Sequence, residues 1–172
     1  MSTERIDDPT RLSSGASASR LRRILEGPIV QVGCRLLLAG VFFCAAIPKI
    51  ADPAAFAVDI ANYRILPGGA VHALAVTLPW IELVVAVLLV LGFWTRAAAI
   101  LSGLMLLVFI ASMASAVVRG LDIDCGCFGS SGDSEALGWG TVARDFFFVL
   151  PANVVAGWDR GRYGLQALWE KD

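Results

Sequence analysis

The sequence predicts an all-α integral membrane protein built as a bundle of four transmembrane helices. Hydrophobic residues make up 57% of the 172 residues and charged residues only 17%, and the mean hydropathy is +0.71. This composition is more apolar than that of ordinary soluble domains. Four apolar stretches are long enough to cross a hydrocarbon core of about 30 Å at about 1.5 Å per residue. They cover residues 29–47, 71–93, 97–118 and 139–156.

Tryptophans at the ends of these stretches support the assignment. Trp94 follows the second stretch, and Trp139 and Trp158 flank the fourth. Aromatic side chains favour the two membrane–water interfaces, so this placement is typical of true spans. The predicted organisation is a disordered polar tail (1–28), a membrane domain (29–157) and a C-terminal tail (158–172).

The basic residues predict how the chain is oriented. Four spans place both termini and the 94–96 turn on one side of the membrane, which then holds most of the loop and tail Lys and Arg residues. That side carries Arg5, Arg11, Arg20, Arg22, Arg23, Arg96, Arg160, Arg162 and Lys171, and the other side carries Lys49, Arg64 and Arg119. The bias predicts cytoplasmic termini in a multi-pass protein of a bacterial cytoplasmic (inner) membrane. A formal net charge of −1 gives no basic field for nucleic acid.

A short helix is predicted between the first two spans. Asp52-Pro53 is typical of a helix start, with proline at the first helical position. Phe56, Ile60 and Tyr63 then share one face, which predicts an amphipathic helix on the outer membrane surface. An ordinary connecting loop is the alternative.

The most reactive feature is Cys125-Gly126-Cys127, which lies in an acidic, Gly- and Ser-rich loop on the predicted outer side. Cysteines at i and i+2 bring their α-carbons to about 5.5–7 Å, near the upper limit for a disulfide. Strained, exposed disulfides exchange readily with other thiols. The alternatives are a static structural disulfide and half of a metal site. Metal is disfavoured because the loop has no histidine, and His72 is the only one in the chain.

Two more cysteines lie in the first span. Cys44 is close to its outer end and is a candidate resolving thiol for Cys125 and Cys127, with a plain buried side chain as the alternative. Cys34 lies ten residues earlier, about 15 Å deeper, and is interpreted as a small apolar side chain.

Four charged residues fall inside the predicted spans: Arg35, Glu82, Arg144 and Asp145. Charges in a bilayer require partners, so we expect Glu82 to pair with Arg35 or Arg144 where the helices converge. Pro79, one turn before Glu82, frees a backbone carbonyl there. The cluster is interpreted either as a proton-accepting or quinone-side site or as a structural ion-pair network.

Several motifs together resemble the MauE branch of the DoxX-like membrane proteins over about residues 29–157. They are Arg35-x4-Gly40, Pro48-Lys49-x-x-Asp52-Pro53, Tyr63-Arg64-Ile65-Leu66-Pro67, Leu78-Pro79-Trp80-Ile81-Glu82 and Cys125-Gly126-Cys127-Phe128-Gly129. The resemblance implies a four-helix, redox-associated inner-membrane protein. It also implies a role in maturing the disulfide-rich β-subunit of methylamine dehydrogenase together with a thioredoxin-like partner. By position, it implies thiol exchange at Cys125 and Cys127 and interior positions for Arg35, Glu82 and Arg144.

The predicted function is thiol–disulfide exchange between the outward Cys125/Cys127 pair and an exported thioredoxin-like or cysteine-rich partner. That activity would make the chain a thiol–disulfide oxidoreductase, and a quinone is a candidate cofactor for recharging the pair. The alternative is a non-catalytic membrane scaffold or chaperone; a small-molecule carrier is less well supported. Small residues in the third span, including Ala99, Ser102 and Gly103, predict close helix packing or a homodimer face.

Overall fold

In the computed structural model, which describes residues 22–121 and 139–158, a short helical segment at 22–25 is followed by five longer helices. They are α1 (Pro28–Ala51), α2 (Pro53–Asn62), α3 (Gly68–Leu91), α4 (Thr95–Val118) and α5 (Trp139–Trp158). No strand occurs among the described residues. The all-helical class predicted from composition is therefore confirmed. α1, α4 and α5 contain the first, third and fourth predicted spans, whereas α3 ends at Leu91, two residues before the predicted end of the second span, with Gly92 in the left-handed region as its C-cap.

The largest difference from the predicted boundaries is at the end of α1. The predicted end at residue 47 is wrong, because α1 includes Pro48 and continues to Ala51. Proline removes one backbone donor, but the last turn still closes, since the Asp52 amide donates to the Pro48 carbonyl at 3.0 Å. Lys49 consequently lies on the helix rather than in a loop, and it is only 3% exposed.

Three of the helices have the length and composition of membrane spans. The most apolar windows of α1, α3 and α4 have mean hydropathies of 2.0, 2.5 and 2.3, which suits a multi-pass membrane protein. The 20-residue α5 is long enough but less apolar, because it carries Arg144, Asp145 and Asn153. A membrane crossing by α5 stays a prediction, as does the side on which the termini lie.

The four long helices pack around one apolar core. α1 packs against α3, α3 against α4, α4 against α5, and α5 against α1, which closes the bundle. Its central side chains include Leu38, Phe42, Val85, Leu89, Leu106 and Val155.

The small residues of α4 serve this packing. Ala99 and Ser102 are 1% and 0% exposed, and a Cβ built on Gly103 would lie 3.6 Å from the Cβ of Ala152 on α5. Small side chains let helix backbones approach closely where no water drives association. The predicted packing role is thereby confirmed for these three residues, and the alternative homodimer face stays untested.

The short helix α2 begins where the sequence predicted. Asp52 caps it, with a side-chain oxygen accepting from the Ala55 amide at 2.9 Å, and Pro53 occupies the first turn. α2 packs on α3, and Phe56 is buried at 6% exposure. Its location at a membrane surface stays a prediction.

One end of the bundle is formed by Ala51, Gly68, Val118 and Trp139, the ends of α1 and α4 and the starts of α3 and α5. We call it the loop end. A hydrogen bond from the Arg119 guanidinium to the Tyr63 carbonyl joins the segment after α2 to the end of α4 there. Leu121 and Trp139, the last and first described residues on either side of the 122–138 gap, both belong to this end.

Candidate functional site

A buried ion pair joins α1 to α3 inside the bundle. The Lys49 ammonium Nζ lies 2.7 Å from Glu82 Oε1, and the two side chains are 2% and 1% exposed. Lys49 shares a face of α1 with Arg35, Leu38, Phe42 and Ala46, all buried and spaced as residues on one side of a helix are. A helical side chain also leans toward the helix N-terminus. Lys49, in the last turn of α1, therefore extends into the bundle.

Two aromatic rings complete the surroundings of the Lys49 ammonium. Nζ lies 4.9 Å from the ring centroid of Phe56 on α2 and 5.0 Å from that of Phe109 on α4. A cation over an aromatic face is attracted by the ring quadrupole, most strongly where water is excluded. One side chain of α1 thus contacts α2, α3 and α4.

Glu82 also lines a small cavity. Oε2 is buried and has no hydrogen-bond partner among the described residues. The cavity of about 30 Å³ is lined by Lys49, Glu82 and Asp145 together with apolar side chains. Its volume suits one or two water molecules, and a buried carboxylate oxygen is the kind of atom that such water binds.

Asp145 brings α5 to the same cavity. It is 5% exposed, and its Oδ1 lies 3.3 Å from Nε of the neighbouring Arg144. We call Lys49, Glu82 and Asp145 the polar layer. α1, α3 and α5 converge near Glu82 as predicted, since each contributes a residue to this cavity. The predicted pairing of Glu82 with Arg35 or Arg144 is wrong, because Lys49 is the cation bonded to Glu82.

Arg35 lies in a different part of the bundle. Its guanidinium donates to the Leu89 carbonyl from Nε and Nη2, at 3.1 and 3.0 Å, and to the Val90 carbonyl. Those are among the last carbonyls of α3, which lack partners within their own helix, and a cation there complements the helix dipole. Arg35 and Glu82 are 4% and 1% exposed, so their predicted interior positions are confirmed. The Arg144 side chain is 35% exposed, so the same expectation does not hold for Arg144.

The cysteines are distributed as follows. Cys44 is exposed on α1, seven residues before the helix end, and Cys34 is half-buried. Cys125 and Cys127 lie outside the described residues, in the stretch of sequence between Leu121 and Trp139. The predicted roles of Cys125, Cys127 and Cys44 stay predictions. In residues 22–121 and 139–158, no group of three His, Cys, Asp or Glu side chains could hold a metal ion.

Sequence reasoning missed Lys49 and the two rings around it. The first predicted span ends at residue 47, before Pro48, and this leaves Lys49 in a loop. Its spacing from Arg35, Phe42 and Ala46 was the available signal, since all lie on one helical face. Phe109 gave no such signal, because α4 is apolar on every side.

Comparison with known proteins gives the family. The family described as "Methylamine utilisation protein MauE" matches residues 27–158, which contain all five helices, the polar layer and Cys125-Gly126-Cys127. The chain belongs to the MauE family. The predicted MauE resemblance is confirmed.

The MauE relatives cover most of the chain. It is 36% identical over 150 residues to the methylamine utilization protein MauE of Paracoccus denitrificans, covering 81% of this chain and 80% of the relative. It is 36% identical over 130 residues to MauE of Methylorubrum extorquens, covering 75% and 69%. It is 33% identical over 138 residues to MauE of Methylophilus methylotrophus, covering 80% and 69%. No solved structure matches the chain.

Proposed function

We propose that this MauE-family chain supports methylamine utilisation as a membrane thiol–disulfide exchange protein. Its partner would be an exported thioredoxin-like or cysteine-rich protein, such as the β-subunit of methylamine dehydrogenase. The observation that carries the proposal is Cys125-Gly126-Cys127 in the segment between α4 and α5. A Cys-x-Cys pair closes a small, strained ring, and such disulfides are the exchange-prone ones.

The exchange conserves atoms and electrons. A thiolate of the partner attacks one sulfur of the Cys125–Cys127 disulfide, which breaks that S–S bond and forms a mixed disulfide. A second partner thiolate then displaces the chain's sulfur. The partner gains a disulfide, and Cys125 and Cys127 become two thiols, so two electrons and two protons pass to the pair.

The polar layer would hold the loop end in one arrangement during this exchange. Lys49 contacts Glu82, Phe56 and Phe109, which lie on three other helices. Buried ionic contacts in a membrane bundle are costly to break, and this favours a single packing of the helices. The proposal further places four spans in the inner membrane, the termini in the cytoplasm and the cysteine pair on the outer face, where disulfides persist.

Trapping the mixed disulfide tests the function. A Cys127→Ser variant keeps Cys125 as a lone thiol, which can attack a disulfide of the oxidised partner in the reverse of the exchange above. Because no Cys127 thiol is present to displace the partner, the partner should stay attached and migrate as a complex that reductant dissolves. The matched variant Cys125→Ser leaves Cys127 as the lone thiol and tests whether Cys127 is the sulfur that forms the mixed disulfide. Cys34→Ser is the control, since Cys34 is half-buried on α1. If neither single variant captures a protein and the double Ser variant still supports partner maturation, the chain is a scaffold with a structural disulfide.

A further inference from the structure

A second, larger cavity lies between α2, α3 and α4. Its volume is about 390 Å³, within the range of about 300–1,000 Å³ that is usual for small-molecule sites. Phe56 of α2, Leu74 and Leu78 of α3, and Phe109 of α4 contribute to its walls. α2 closes the gap between the other two helices near the loop end.

The cavity opens sideways, along the outside of α4. Leu104 and Val108 lie at its rim and are 55% and 67% exposed. α3 and α4 both have the length and composition of membrane spans, so exposed leucine and valine on them suit contact with lipid. A ligand dissolved in the bilayer can therefore enter without crossing water.

The lining favours a ring with polar atoms over a plain hydrocarbon chain. Three aromatic side chains, Phe56, Tyr63 and Phe109, border the cavity, and aromatic rings pack well against flat rings. Asp59, Tyr63 and Ser112 contribute the polar groups of the lining, and Ser112 lies six residues before the end of α4. A small number of polar groups in an apolar pocket fixes the orientation of a ligand, whereas an acyl chain has nothing for them to bind.

The polar layer lies behind the same rings. Phe109 lines both cavities, and the Lys49 ammonium stands about 5 Å from the centroids of Phe56 and Phe109. This places the Lys49–Glu82 ion pair one ring away from the cavity. Because its two charges balance each other at 2.7 Å, recognition of a ligand falls to the aromatic rings and to the polar groups of the lining.

We infer that this cavity binds the ring of a membrane quinone. The inference rests on the proposed function, because a dithiol formed at Cys125 and Cys127 needs a two-electron acceptor before it can react again. In that reaction two S–H bonds break and one S–S bond forms, while two electrons and two protons convert the quinone to a hydroquinone. On α4, Ser112 is the lining residue nearest the end of the helix. It lies six residues before Val118, which is about 9 Å along the helix axis.

Photolabelling tests the site on the full chain in phospholipid vesicles. A photoreactive azidoquinone should attach to peptides of α3 and α4 that line the cavity, and excess decylubiquinone should abolish this labelling while excess stearic acid should not. The Cys125→Ser/Cys127→Ser variant should be labelled to the same extent. Loss of partner maturation in that variant with labelling retained would separate the proposed function from quinone binding.

A variant that fills the cavity is compared with a variant of the same helix that changes only its exposed face. Leu78→Trp places a larger ring inside it and should lower labelling at least about tenfold, because overpacked sites exclude ligands. Val84→Trp, on the same helix at a position 56% exposed, should leave labelling unchanged; Ser112→Phe serves if Leu78→Trp does not fold. Equal competition by stearic acid would show an acyl-chain site, and labelling that avoids the cavity peptides or survives both filled variants would equally overturn the inference.

Discussion

Replacing Lys49 by methionine tests whether the buried ion pair stabilises the bundle. At 2.7 Å, and with an effective dielectric constant of about 20, the gross attraction between the two charges is about 6 kcal/mol. Desolvation offsets part of it, and removing one partner of a buried pair typically costs about 3–5 kcal/mol. We expect a loss in that range for Lys49→Met, since Glu82 then has two buried oxygens without a protein partner.

The structure also predicts an order among the variants. Glu82→Gln leaves the ammonium of Lys49 over Phe56 and Phe109, contacts worth up to about 2 kcal/mol when desolvated, so it should destabilise less than Lys49→Met. The double variant Lys49→Met/Glu82→Gln should cost less than the sum of the two single changes, because it leaves no charge unpaired.

Denaturation in detergent micelles measures these differences. Titration with sodium dodecyl sulfate, followed by the fluorescence of the chain's five tryptophans, gives the free energy of unfolding of each variant. Arg96→Met is the control, because Arg96 is exposed and surface changes stay within about 0.5 kcal/mol. The reasoning is refuted if Lys49→Met unfolds like the control, or if Glu82→Gln is the more damaging change. Retained stability in Glu82→Gln with lost partner maturation would instead assign Glu82 to the chemistry.

Three further variants test separate contacts by the same unfolding measurement or by function. Asp52→Ala removes the cap of α2 and should cost about 1 kcal/mol, whereas Asp52→Asn should be close to neutral; equal losses would contradict the cap. Gly103→Ala should be tolerated, since the added Cβ meets Ala152 at 3.6 Å, while Gly103→Leu should cost about 1–3 kcal/mol by overpacking; a tolerated leucine would show that α4 and α5 do not pack closely. Cys44→Ala should leave partner maturation unchanged if its exposed position on α1 keeps it out of the exchange, and an accumulated mixed disulfide in this variant would identify Cys44 as the resolving thiol.

The sequence predicted the helices well because each carries a strong local signal. Long apolar runs define α1, α3 and α4, and Asp52-Pro53 marks the start of α2 with a capping side chain and a proline. The buried position of Glu82 was also predictable, since a carboxylate within an apolar run must face the interior of a bundle.

The partner of Glu82 was not predictable by the same reasoning. Proline normally ends a helix, so the sequence predicts a span that stops before Pro48 and excludes Lys49. Only the three-dimensional packing shows that α1 continues past Pro48. The cavity beside Phe109 depends on how far α3 and α4 separate under α2. No local pattern records that distance, because the lining residues are apolar like the lipid-facing ones around them.

Labelling of the cysteines from outside the cell membrane tests the central claim most directly. A membrane-impermeant maleimide is applied to intact cells that express a Cys34→Ala/Cys44→Ala chain, before and after mild reductant. The account predicts no labelling before reductant and labelling of Cys125 and Cys127 after it, which requires an outward pair that opens and closes as a disulfide. Absence of labelling under both conditions, with labelling only once the cells are permeabilised, would contradict it.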